Sequence, residues 1–144
     1  MSFQWLQMRI TEERERRERE AMILERLPRA IEELRRSLSS CIESYTAAFG
    51  AESACLTVDD LKLRVVVREP AGSGWRECGR VEIDAVPEMP GFEVRSEDST
   101  LAVEIGLLPG DRLFYRDRQV DQYLTMDELT RRVLDRALFP KLRE

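Results

Sequence analysis

The chain has 144 residues, 42% of them hydrophobic and 35% charged, a balance that fills one core and argues against wholesale disorder. Its formal charge is -5, with nine Arg against nine acidic residues in positions 1–50 and 14 basic against 19 acidic residues beyond them, so no excess of cations supports a dominant phosphate-binding surface. The absence of His excludes Ser-His and Cys-His nucleophile pairs and imidazole zinc sites.

The N-terminus shows no charged segment leading into an apolar one, and no apolar run approaches the ~20 residues of a membrane span. Neither a secretory signal nor a transmembrane helix is therefore expected. Residues 11–20, "TEERERRERE", carry no apolar side chain. Glu12–Arg16, Glu13–Arg17 and Glu15–Arg19 stand four apart with Glu first, the order that supports a helix by ~0.2–0.5 kcal/mol per pair. The stretch reads as a helix that largely supports itself in water.

From Leu24 the apolar spacing alternates three and four through Leu27, Ile31, Leu34, Leu38, Cys41, Tyr45 and Ala48, the a/d seam of a heptad repeat. Ile23, Ile42 and Phe49 widen it, which suits a helix lying on protein surface as well as on a partner helix. Continued backwards, the same frame passes through Glu20, Arg17 and Glu13 to Ile10, Leu6 and Phe3. The seam is apolar at both ends and charged in the middle. Pro28 lacks a donor for the carbonyl four residues earlier and disfavours helical geometry at Leu27. The pattern predicts two helical segments, 2–26 and 28–49, meeting at a kink or tight corner, with Gly50 as the stop.

After Gly50 the period falls to two. Leu61, Leu63, Val65 and Val67, then Val81, Ile83 and Ala85, then Leu101, Val103 and Ile105 alternate mainly with polar residues. Turn signals separate them: Asp59-Asp60, "EPAGSG", "VPEMPG", "SEDS", "LPGD" and "RDRQ". No stretch between strands is long enough for a parallel crossover, so an antiparallel meander is expected near 53–58, 61–68, 75–85, 92–96, 100–107, 111–116 and 119–123. Thr125 and Glu128 then form a capping box. The helix that follows presents Met126, Leu129, Val133, Leu134, Ala137 and Leu138 on one face and Arg131, Arg132 and Arg136 on the other, ending at Pro140.

Chemical signatures are sparse. No GxGxxG, Walker, GxSxG or HExxH motif occurs. Cys41, Cys55 and Cys78 are odd in number and widely separated, as in a reducing cytoplasm. Cys78 is the best thiol candidate, because Arg76 and Arg80 would favour thiolate if the strand is regular. Asp59 with Asp60, and Asp111, Asp117 and Asp121, suit turns better than a cation site. Trp75, Phe92, Phe114, Tyr115 and Tyr123 are candidates for core or for a pocket wall.

These patterns predict an α+β fold: a long, kinked N-terminal helical segment, a meander of five to seven strands and a C-terminal helix, packed in two layers. Residues 1–27 are expected to protrude as an assembly arm from a domain spanning 28–144. The expected function is a non-enzymatic cytoplasmic interaction or oligomerisation module, with Phe3, Trp5, Leu6, Ile10, Leu24, Leu27 and Ile31 at the interface. The partner is a second copy or another protein; membrane, nucleic acid, metal, cofactor and catalytic residues are not expected. The alternative is a small-ligand-binding domain with a pocket between sheet and helix.

Overall fold

In the computed structural model, which describes residues 3–142, one uninterrupted helix α1 runs from Gln4 to Phe49. At 1.5 Å per residue it is about 70 Å long. The predicted start at residue 2 lies outside the described residues, and the predicted division at Pro28 is not found. Pro28 is exposed, so its missing donor leaves the Leu24 carbonyl facing water rather than stranded in the core. The buried residues Leu27, Ala30, Ile31 and Leu34 hold the helix on both sides of it. At the far end the Gly50 N–H donates to the Thr46 carbonyl at 2.8 Å, and Gly50 takes a φ of 109°.

Beyond Leu38 the buried face departs from the heptad. Ile42 is buried and Tyr45 half-buried, whereas Cys41 and Ala48 are exposed. This segment lies against its own sheet, where the natural 3.6-residue period applies rather than the 3.5 of a supercoiled pair.

Seven strands follow in sequential order: β1 (Ala54–Asp59), β2 (Lys62–Ala71), β3 (Gly74–Val86), β4 (Gly91–Ser96), β5 (Thr100–Leu108), β6 (Arg112–Asp117) and β7 (Gln122–Leu124). Every neighbouring pair is antiparallel, as short turns between amphipathic strands require. Asp60, Asp111 and Asp121 sit at turns with φ of 54°, 61° and 51°, the left-handed region that Asp tolerates better than most side chains. The turn reading of these three aspartates is correct.

The inward face carries Leu63, Val65, Val67, Val81, Ile83, Phe92, Val94, Val103, Ile105 and Tyr115. Both helices cover this one face: α1 from Leu27 onward, and α2 (Met126–Leu138) through Leu129, Val133, Leu134, Ala137 and Leu138. The architecture is two-layer α+β. Thr125 caps α2 by accepting from the Glu128 N–H at 3.1 Å while donating its own hydroxyl proton to Glu128 Oε1 at 3.1 Å. Ser37 and Thr130 share a hydrogen bond of 2.6 Å between the helices, and Tyr45 donates to the Leu138 carbonyl at 3.2 Å.

The opposite face of the sheet is open and ionic. Lys62 pairs with Asp84, Arg64 with Glu82, Arg95 with both acids, and Arg116 with Glu104 and Asp121. Cross-strand pairs of this kind add modestly to stability and keep the face solvated. No described helix is long and apolar enough to cross a membrane.

Candidate interaction surface

The first half of α1 stands apart from the sheet. From Phe3 to Met22 every described side chain is exposed except Glu13 and Glu20, which are half-buried. Ile23 is the first residue packed against the core, and Leu27 is the first to be fully buried, at 2% exposure. Close to this junction Arg26 and Arg29 converge on Asp111 in the β5–β6 turn. Arg26 pairs with the carboxylate, and Arg29 adds bonds of 3.1 Å to Oδ2 and 2.8 Å to the Asp111 carbonyl. The Arg26 guanidinium, with Arg29 beside it, holds the Asp111 carboxyl below its ordinary range. The clamp joins the helix to the sheet end at the point where the exposed stretch begins.

Within that stretch the charges organise as a lattice. Arg16 donates to both Glu13 and Glu20 at 2.6 Å, Arg17 reaches Glu13 at 3.3 Å, and Arg9 takes Glu12 at 2.8 Å. Glu13–Arg17 is thus one of the predicted pairs, whereas Glu12 turns to Arg9 instead of Arg16. The forked guanidinium of Arg16 lies between acids at i−3 and i+4 and serves both. Its hydrogen bonds, with those of Arg17, push the Glu13 carboxyl down to about 2.

The lattice separates two apolar groups. Phe3, Trp5, Leu6, Met8 and Ile10 are exposed at the tip, Trp5 by 66%; Met22 and Leu24 are exposed at the base. Between them a shallow groove of about 590 Å³ runs past Ile10, Glu13, Arg17 and Ala21. Exposed large apolar side chains clustered in this way mark interaction surfaces, whereas scattered ones need no explanation.

Of the seven candidate interface residues, Phe3, Leu6, Ile10 and Leu24 are exposed along one stripe of the helix, and Trp5 is exposed outside it. Leu27 and Ile31, at 2% and 4% exposure, belong to the chain's own core and cannot serve an interface without unfolding it. Met8 and Met22 are exposed as well, on the side of the helix away from that stripe. Their signal was an apolar residue in a polar setting, off the seam.

Other candidate chemistries fare less well. Cys78 is the extra residue where the β2–β3 register shifts: Val67 faces Gly79, and Arg68 faces Glu77. The strand is irregular there, Arg76 is engaged by Glu69 and Arg80 by Glu77, and burial pushes the thiol upward, away from thiolate. The five aromatic candidates divide between faces. Phe92 and Tyr115 stack in the core at 6.1 Å, Phe114 and Tyr123 meet at 5.5 Å, and Trp75 lies near Gly50. On α2, Arg132 pairs with the buried Asp117 and donates to Gln122 at 2.6 Å, while Arg136 lies 3.6 Å from Asp98 and Arg131 4.0 Å from Asp135. Among the described residues no group of three potential ligands is placed to hold a metal ion.

A cleft of about 660 Å³ opens between β3, the β4–β5 turn and the end of α2, past Cys78, Arg80, Asp98, Arg136 and Phe139. Comparisons with protein-family models, with characterised proteins and with solved structures find no match.

Proposed function

We propose that this chain is a non-enzymatic interaction module that assembles through the exposed N-terminal half of α1, most simply as a homodimer. The arm is the exposed stretch 3–22, shorter than the expected 1–27 because Ile23 and Leu27 already pack on the core of the folded domain. The supporting observation is the division of one continuous helix. From Leu27 it is anchored in its own core, while residues 3–22 expose an apolar tip beyond a charged spacer. Solvated Glu–Arg pairs give such a helix its length; only the tip and base gain by leaving water. The three free cysteines fit a reducing compartment, and we place the protein in the cytoplasm.

Light scattering across a dilution series tests this reading. The full chain should show a mass above that of the monomer that falls on dilution, and deletion of residues 1–21 should abolish it. A full chain that stays monomeric and is unaffected by the deletion would refute it.

The second reading is a small-ligand site. The 660 Å³ cleft favours it, since ligand pockets commonly span ~300–1,000 Å³. Its walls hold Arg80 and Arg136 with Glu97, Asp98 and Asp135, so an occupant would carry both charges. Chemical-shift changes confined to this cleft on titration with free amino acids would support it; their absence would remove it.

A further inference from the structure

We infer that two copies pair through the arm as antiparallel helices about a twofold axis level with Glu15, Glu13 of each copy facing Arg17 of the other and Leu6 facing Leu24. The inference rests on the assembly reading above and adds the partner, its direction and its register.

The seam of the arm reads Phe3, Leu6, Ile10, Glu13, Arg17, Glu20, Leu24, with alternate steps of three and four. Its charges decide the direction. In a parallel, in-register pair each seam residue meets its own copy, giving Glu13 on Glu13, Arg17 on Arg17 and Glu20 on Glu20. Three successive like-charge layers oppose that arrangement. An antiparallel pair sets a positions against d positions, and few such registers exist.

In the register centred on Glu15, Leu6 meets Leu24 twice and Glu13 meets Arg17 twice. Sliding one heptad toward the tip sets Leu6 on Arg17 and Ile10 on Glu13, an apolar residue against a charge in each layer. Sliding one heptad the other way sets Glu13 on Leu24 and Ile10 and Leu6 on Leu27 and Ile31, which the core has taken at 2% and 4% exposure; in the favoured register only Phe3, at the very tip, comes level with Leu27. The arm's length agrees. Leu24 and Leu27 share one stripe of a continuous helix, so a partner on the seam approaches the sheet end-on. In the favoured register its tip stops near the Arg26–Asp111 clamp, beside the 40% exposed Leu108. A further shift would drive it into the domain.

Existing pairs accommodate the exchange. Arg17 is 74% exposed and its bond to Glu13 is long at 3.3 Å, so its guanidinium can also reach a second Glu13. Ile10 comes level with Glu20, but the hole it enters is completed by Ala21 and Leu24, and Glu20 stays on Arg16 at 2.6 Å. Arg14 and Arg16 of the two copies lie at the rim of the contact. Arg16 is neutralised there by Glu13 and Glu20, and Arg14 is solvated.

The test uses the full chain. Leu6→Cys and Leu24→Cys variants are oxidised singly and mixed, and the linked peptides are mapped by mass spectrometry to separate them from the native cysteines. Only the mixture should give a 6–24 crosslink. A 6–6 crosslink from Leu6→Cys alone would establish a parallel pair and overturn the inference. So would a 6–10 crosslink between Leu6→Cys and Ile10→Cys, the mark of a pair overlapping at the tips. Charge reversal gives an independent readout. Glu13→Arg should weaken dimerisation about tenfold, and Glu13→Arg with Arg17→Glu should restore it. A dimer whose affinity ignores both changes overturns the register but leaves the assembly reading standing; a chain monomeric at every concentration refutes both.

Discussion

Gly79 and Gly106 are both places where a missing side chain lets another group come close, yet their neighbours differ. A Cβ on Gly79 would overlap the Ala137 carbonyl oxygen, the backbone of the last turn of α2, whereas the nearest atoms to one on Gly106 belong to the ring of Phe114. A helix backbone moves only with its helix; a half-buried ring on the open face rotates aside. Gly79→Ala should therefore cost about 1–3 kcal/mol through overpacking, and Gly106→Ala within about 1 kcal/mol. Urea denaturation of the two variants checks the order, and equal losses would contradict it. Legibility at this scale is uneven. Asp60, Asp111 and Asp121 could be read as turn residues because Asp tolerates positive φ in any context. The extra residue at Cys78 could not, because a bulge depends on how β2 pairs with β3 and leaves no local pattern.

The helix α1 shows what periodicity can and cannot convey. Its apolar stripe from Leu24 to Leu38 was plain, but the same 3-4 spacing fits a partner helix and the chain's own sheet, and burial alone separates Leu24 from Leu27. Pro28 by itself predicts two segments meeting at a kink or tight corner. A residue with its ring in water leaves its neighbours free to decide, and four buried side chains outweigh one lost bond. Pro28→Ala should then raise stability, by about 1–3 kcal/mol given the usual penalty for Pro inside a helix; a lower urea midpoint would show that the proline serves the fold. The charged stretch carries a pH prediction. The Glu13 carboxyl falls from 4.5 to about 2 through its bonds with Arg16 and Arg17. A group whose value is depressed on folding adds stability above its unfolded value and loses it as pH falls through the folded one. Helicity of the arm should thus be intact above pH 4.5 and decline toward pH 2. It is read as the circular-dichroism difference at 222 nm between the full chain and the chain lacking residues 1–21, at a dilution where the full chain is monomeric. A flat difference down to pH 2 would show that the lattice does not support the helix.

Across the whole molecule, the sequence pattern conveyed the layers better than the contacts between them. Alternation in β2, β3 and β5 separated an apolar face from an ionic one, and two amphipathic helices were enough to cover the apolar face. That one of those helices extends past the sheet is legible in the charged stretch 11–20; that it does so for about 30 Å without a break depends on its continuity through Pro28, which no local pattern shows. The consequence is a molecule of two stabilities. Residues 27–138 share one core, whereas residues 3–22 lie outside it and rest on local pairs, so they should open independently of it. Trypsin should therefore cut first at Arg14, Arg16, Arg17 or Arg19 and leave a folded product that retains Leu27. Helical pairing would hold these sites in helix even though Arg14 and Arg16 stay at its rim, so the first cuts should slow as protein concentration rises at a fixed protease concentration. Mass spectrometry of the earliest fragments checks both points. First cuts within β1–β7 would show that the sheet, not the arm, is the weaker part.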